Sequence, residues 1–146
     1  MTTASQAQAA IRARLEAGAT VPLYWQNVGA ELPDEPTAFA YVEFIAGPGR
    51  IASFGGGRGS NRYRNQAIVT IFCFVPSGQG IAPATDLAEL LAARLRSYRT
   101  DAISCFDATV HPGGDGADIK PPGLSSEVGN YYYAVAEVNL FYDLIG

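Results

Sequence analysis

The side chains of Cys105, Asp107 and His111 are of the types found in nucleophilic catalytic sites, and they occur close together in the sequence. A cysteine nucleophile needs an imidazole within hydrogen-bonding distance and a lowered pKa. On an extended strand, however, residues six positions apart are separated by about 20 Å at ~3.3 Å per residue. On one strand all three side chains would point to the same face, but Cys105 and His111 would be too far apart to act together unless the chain bends sharply. We therefore expect Cys105 to be a small core residue.

Neighbouring carboxylates offer a second kind of chemistry, namely acid–base catalysis or calcium binding. Asp34 and Glu35 stand in a segment bounded by prolines, and Asp115 and Asp118 stand among glycines. Neither pair has the alternating acidic residues and the distal Glu of a calcium loop. We expect these four side chains to be solvated carboxylates in turns.

Cysteine and histidine are too few for the common metal sites. Cys73 and Cys105 are far apart in the sequence, and His111 is the single histidine. A zinc site normally takes about four closely spaced ligands, and two cysteines do not form a disulfide framework. We therefore expect no catalytic residue, no metal and no cofactor, and a protein that is not an enzyme.

A glycine-rich segment, Gly55-Gly56-Gly57-Arg58-Gly59-Ser60-Asn61, is the strongest candidate for a phosphate-binding loop. Such a loop requires Gly-Lys-Ser/Thr followed by a helix, whereas here the sequence that follows has a strand pattern. We interpret the segment, with its neighbours Arg62, Tyr63 and Arg64, as a hairpin arm with a basic and aromatic patch. The net charge of −4 opposes a nucleic-acid partner, so we expect the basic arm to become ordered on an acidic protein instead.

Length and composition indicate one folded domain over residues 1–146. Hydrophobic residues make up 48% of the chain and charged residues 16%, which is the opposite of the balance in disordered proteins. No apolar run approaches the ~20 residues of a membrane span, and the first residues lack the basic and apolar regions of a secretory signal. We expect a protein that is made in a reducing cytoplasm and does not enter a membrane.

Hydrophobic periodicity predicts two helices and five strands. The helices are expected at 3–17, where Thr3 and Gln6 can form a capping box, and at 83–99, where Pro83 suits the first turn. The strand at 67–75 is apolar on both faces and is therefore expected at the centre of the sheet. The other strands are expected at 21–25, 41–45, 103–110 and 131–142.

This order, α-β-β-β-α-β-β, predicts an α+β fold with a mainly antiparallel β-sheet and both helices packed on one face. Long loops, which we expect to be mobile, are predicted at 47–65 and 111–129. The second helix is expected to bury one apolar face, formed by Leu87, Leu90, Leu91, Leu95 and Tyr98.

The last strand presents aromatic residues on the face that is not expected to carry the core. Tyr131, Tyr133 and Phe141 share this face with Glu137. Aromatic residues at such positions contact either a neighbouring subunit or a second small core under the 111–129 loop. The sequence leaves both interpretations open.

Four short motifs occur in an order typical of one protein family. They are Leu23-Tyr24-Trp25-Gln26-Asn27, Tyr41-Val42-Glu43-Phe44, the turn Val75-Pro76-Ser77-Gly78-Gln79-Gly80 that leads into the second helix, and the closing Phe141-Tyr142-Asp143. In these motifs the chain resembles the tail-terminator-like proteins of long-tailed bacteriophages and gene transfer agents. The family often has an aromatic residue after the Asn, where this chain has Val28.

The resemblance implies a structural protein of the virion. Tail terminators form a ring, commonly a hexamer, on the head-proximal end of the tail tube. There they stop the addition of tube subunits and offer a docking surface to the neck or head-completion protein. The implied location is the tail–neck junction, after assembly in the cytoplasm of the host bacterium. The genome would pass through the ring without specific binding.

Loop position and residue type then suggest contact residues. For the ring, tube or neck contacts these are Arg58, Arg62, Tyr63, Arg64, Tyr131, Tyr133 and Phe141. For charges that face the lumen or the ring surface they are Glu43, Glu137 and Asp143. Two alternatives stay open: a neck or head-completion protein of the virion, and a small cytoplasmic ligand-binding domain or hydrolase.

Overall fold

A computed structural model describes residues 2–28, 35–115 and 131–146. Within them the chain forms two helices and five strands in the predicted order. These are α1 Ala4–Gly18, β1 Leu23–Trp25, β2 Phe39–Ile51, β3 Arg62–Pro76, α2 Ala82–Leu95, β4 Ser104–Asp115 and β5 Tyr131–Ile145. The fold is α+β, as the sequence predicted.

The first helix begins where the capping pattern placed it. The amide of Gln6 donates to Thr3 Oγ1 at 3.3 Å, and Gln6 Oε1 accepts a hydrogen bond from the Thr3 amide at 2.8 Å. These two bonds satisfy donors that a helix N-terminus otherwise leaves free. The buried residues of α1 are Ala7, Ile11 and Leu15, so the stripe of every fourth residue is the face that packs into the hydrophobic core, where α1 also contacts α2.

The five strands form one sheet in the order β1-β2-β3-β5-β4. Only the short β1 pairs in parallel, and every other neighbouring pair is antiparallel. Strand β3 lies at the centre, as its apolar sequence predicted. The main core lies on the face that the helices cover and includes Val69, Ile71 and Cys73 of β3 and Ala136 and Val138 of β5.

The second helix differs from its prediction in length and in its buried face. It ends at Leu95 rather than Arg99, because Ser97 adopts a left-handed backbone conformation with φ 57°. Leu90 is 43% exposed, so it is not a core residue. Small residues complete the buried face of α2 instead, since Ala84, Ala88 and Ala92 are buried together with Leu87 and Leu91.

Both long loops were predicted too long. Strand β2 continues to Ile51 and β3 begins at Arg62, so residues 52–61 form the loop of the hairpin. Strand β4 continues to Asp115, and the rest of the predicted 111–129 loop lies outside the described residues. Pro48 and Pro112 obscured these strand patterns, but an edge strand tolerates proline because its outer N–H groups need no partner.

The apolar sequence of β3 does not mean that both faces are fully covered. Ile68 is 38% exposed, whereas Phe74 on the same face is fully buried. The sheet face away from the helices is therefore closed at one end and open at the other. In the described part of the chain, neither helix is long and apolar enough to cross a membrane.

Candidate interaction surface

An aromatic cluster closes one end of the sheet face away from the helices. It consists of Phe39, Tyr41, Phe74 and Tyr131, all of them buried. The rings of Phe39 and Phe74 are stacked with centroids 4.7 Å apart, and Tyr131 packs edge-on against Phe39 at 5.1 Å. These geometries are the favourable ones for aromatic pairs, so the cluster is a second small core.

Tyr131 and Tyr133 belong to this core rather than to an exposed surface. Tyr131 is 3% exposed, and its hydroxyl accepts a hydrogen bond from the Thr37 amide at 3.2 Å. The ring of Tyr133 lies over Gly113 of β4, where any Cβ would come within 2.0 Å of the ring. The burial of Tyr131 within the subunit favours a role in this small core over its predicted role as a contact residue.

At the other end, the same sheet face is an open groove, which we call the sheet groove. Ile45, Ile68 and Phe106 line it, and each is exposed by more than a third. The ring of Phe106 lies 4.9 Å from that of Phe141. The groove has a volume of about 250 Å³, below the range of about 300 Å³ or more that is usual for small-molecule pockets.

A β-bulge explains why Phe106 reaches this groove. Cys105 pairs with Leu140 and Ala108 with Val138, so both Phe106 and Asp107 stand opposite the single residue Asn139. Because of the bulge, Cys105 and His111 do not point to the same face of the sheet, although the sequence predicted that they would. Cys105 packs in the core on the helix side, whereas His111, paired with Val135, falls on the opposite face.

Acidic residues border the sheet groove. Glu43 pairs with Thr70, and Thr70 pairs with Glu137, so the two carboxylates flank one threonine in a row across the sheet. In the next row Asp107 accepts a hydrogen bond from Asn139 at 3.3 Å. Partial burial raises the pKa of Glu43. Over the described ranges, no arginine nitrogen lies within 4.0 Å of these three carboxylates.

The end of the hairpin formed by β2 and β3 is here called the arm and is defined as residues 47–65, with the exposed loop 52–61 as its tip. Phe54 at the tip is 87% exposed, and Ile51 beside it is also exposed. The arm carries Arg50 and Arg58 and contains no Asp or Glu. The tip thus combines an exposed aromatic ring with positive charge.

The base of the arm is held by strand pairing with β5 and, in addition, by charged hydrogen bonds. Arg64 donates to both carboxylate oxygens of Asp143, at 3.0 and 3.1 Å, and Arg62 Nε donates to the same carboxylate at 2.8 Å. The guanidinium of Arg64 also lies over the ring of Phe141, 3.8 Å from its centroid. These bonds lower the pKa of Asp143, with the hydrogen bond from Arg64 as the largest cause.

Predicted contact residues therefore have different environments. Arg62, Arg64 and Asp143 pair with one another, and Tyr63 is half-buried, paired with Ile51 and Leu144 of the two neighbouring strands. Arg58 at the tip is exposed, as a partner contact requires. Phe141 is partly exposed beside the groove, and Glu137 is exposed next to it.

The residues first considered for catalysis do not form a site. Burial raises the pKa of Cys105 to about 11 and that of Cys73 to about 12, and both thiols are free. A thiol in that state is protonated at neutral pH and is a poor nucleophile. Within residues 2–28, 35–115 and 131–146, no group of three His, Cys, Asp or Glu side chains could hold a metal ion.

Of each predicted carboxylate pair, one member lies among the described residues. Glu35 is exposed and Asp115 ends β4. Their partners Asp34 and Asp118 lie outside the described residues.

No protein-family model matches the chain, and no curated protein matches it either. The features of the chain that bear on its function are therefore the arm and the sheet groove.

Sequence reasoning missed the apolar part of both surfaces. Ile45 and Ile68 fall in segments whose pattern predicts buried strands, and Phe106 was hidden by the bulge, which no local sequence signal marks. Phe54 had a readable signal, since it is a lone aromatic residue followed directly by three glycines, and glycine tips are exposed loops.

Proposed function

We propose that the protein is a virion structural protein of the tail-terminator type. In this proposal it forms a ring, of six copies by the resemblance, on the head-proximal end of the tail tube. The ring ends the growth of the tube and gives the neck or head-completion protein its docking surface. The protein would therefore act in the virion, at the tail–neck junction.

The observation that carries this proposal is the arm. The side chain of Phe54, which is 87% exposed at the tip of the arm, gains almost no burial in the folded monomer. Phe54 and Ile51, which is 46% exposed, leave apolar surface in water at this end of the hairpin, and a partner protein that covered this surface would gain hydrophobic stabilisation. The ion pairs of Asp143 with Arg62 and Arg64 hold the base of the arm in place, so the tip is presented to a neighbour in a defined direction.

The net charge of the chain also supports the proposed passage of DNA through the ring. The chain carries a net charge of −4, and like charge keeps a passing duplex from binding to the wall. The arginines of the arm base are paired with Asp143, which leaves them less available for phosphate groups.

The proposal predicts a ring that is found on tails. Analytical ultracentrifugation of the purified protein, alone and with tail tubes, should detect a closed oligomer in at least one of the two conditions. Cryo-EM of the encoding phage or gene transfer agent, with the subunit labelled, should place it as a single ring between tube and neck. Deletion of its gene should give tubes of uncontrolled length without heads.

Three outcomes would contradict the terminator role. They are a monomer at all concentrations and with tubes present, absence of the subunit from purified particles, and density inside the neck rather than on the tube end. The last outcome would identify a head-completion protein instead.

A further inference from the structure

We propose that the arm tip of one subunit binds the sheet groove of a neighbouring copy, with Phe54 between Ile45, Ile68 and Phe106 and Arg58 against the acidic row. This inference rests on the proposed function for the closure of the ring. The contact itself is a property of the isolated protein and can be tested separately.

The two surfaces match in shape and polarity. The tip presents one large apolar ring, and the groove presents three partly exposed apolar side chains around a volume of about 250 Å³. That volume is small for a ligand pocket but suits a single aromatic side chain. Aromatic anchors in such pockets carry much of the binding energy of protein interfaces.

The two surfaces also match in charge. The arm contains only basic charged residues, of which Arg50 and Arg58 have no carboxylate within 4.0 Å in the described segments. The groove is bordered by Glu43, Glu137 and Asp107, whose carboxylates have no arginine partner there. Opposite charges on facing surfaces fix the register of a contact and speed its formation.

The neighbour must be another copy rather than the same chain. Phe54 is 87% exposed and the groove is open in the same molecule, so the arm does not reach its own groove. A contact between two different patches is heterologous, and it yields either a closed ring or an open filament. Closed rings are the form that a tube cap requires. Glu43 and Glu137 would then be contact residues between subunits rather than lumen charges.

Disulfide trapping tests the contact directly. Ala52→Cys protein and Gln66→Cys protein, which keep Phe54 and Ile68 in place at the exposed tip and at the groove, are mixed and oxidised near pH 8. One of the two carries a fused domain that changes its mass. The native thiols of Cys73 and Cys105 are buried, so the background should be low. We expect cross-linked heterodimers in the mixture, and no comparable product when Thr20→Cys, an exposed site after α1, replaces Gln66→Cys.

A charge exchange supplies the second test. Arg58→Glu and Glu137→Arg should each weaken self-association, measured by sedimentation, by about tenfold. The double variant Arg58→Glu/Glu137→Arg should recover most of the loss. Far-UV circular dichroism of each variant establishes that it is folded.

Failure of this inference differs from failure of the proposed function. Rings that still form on tails, while the Ala52→Cys and Gln66→Cys proteins give no cross-link, would overturn the arm contact and leave the terminator role standing. Cross-linked oligomers of a subunit that is missing from particles would overturn the terminator role and support the contact. Single charge variants that associate normally would also overturn the contact.

Discussion

At the scale of single residues, Asp143 connects the arm to the rest of the sheet. Its carboxylate accepts hydrogen bonds from Arg62 and Arg64, which precede the apolar half of β3, while Asp143 itself lies near the end of β5. Charged hydrogen bonds of this kind contribute more than neutral ones. Partial exposure of the two guanidinium groups screens the interaction.

Replacement of Asp143 by Asn should therefore lower the free energy of unfolding by about 1 kcal/mol at pH 7. The folded-state pKa of Asp143 is lowered relative to an unfolded value of about 3.9. Its contribution is thus present above about pH 4 and is lost as the pH falls through the folded-state pKa. Urea denaturation between pH 3 and pH 7 measures the difference.

Asp101→Asn provides the control for Asp143→Asn, because Asp101 is an exposed carboxylate in the turn after α2. It should change the unfolding free energy little at any pH. A loss for Asp143→Asn that is the same at pH 3 and pH 7 would show that packing, and not the ion pair, is responsible.

At the scale of elements, the capping box of α1 is the clearest local signal in the sequence. Thr3→Ala removes the oxygen that accepts from the Gln6 amide and should lower the unfolding free energy by about 1 kcal/mol. Thermal and urea unfolding followed by circular dichroism measure the change. Thr20→Ala, in an exposed position after the helix, should have almost no effect, and equal losses in both variants would argue against the cap.

The helix and strand features that could be predicted are those that depend on residues close together in the sequence. The start of α1 depends on Thr3 and Gln6, and the central place of β3 follows from its apolar run. The extensions of β2 and β4 were not predictable, since Pro48 and Pro112 are tolerated only because those strand segments lie at sheet edges. The position of Phe106 depends on a bulge opposite Asn139, and nothing near it in the sequence specifies that register.

At the scale of the whole molecule, the sheet has one face under two helices and another that is half open. Only the complete topology shows that Ile45, Ile68 and Phe106 meet in one groove, because they come from three different strands. The arm on the same sheet was visible in the sequence as a glycine-rich hairpin. Of the candidate surface, the arm could therefore be predicted and the groove could not.

Deletion of residues 55–59 tests the arm at this scale. Any Cβ at Gly55, Gly57 or Gly59 would have no neighbour within 4 Å, and the close neighbour of Gly56 is Ser60 of the same loop. Loss of residues 55–59 should therefore change the unfolding free energy by less than about 1 kcal/mol. Self-association and tail termination should both be impaired, as measured by sedimentation and by electron microscopy of tails. Replacement of the same residues by glycine and serine, at equal length, distinguishes an effect of loop length from an effect of the side chains. If the protein with the deletion terminates tails normally, the arm is only a linker and makes no required contact.

The position of β5 between β3 and β4 has a consequence for how the protein is made on the ribosome. Translation at ~5–20 residues per second needs roughly 3–14 s to proceed from Pro76, where β3 ends, to Ile145, where β5 ends. During that time the nascent chain already contains β3 but lacks β5, the strand that lies between β3 and β4 in the sheet. The hairpin of β2 and β3 can form early, whereas one edge of β3 stays open to other nascent chains until synthesis is nearly finished.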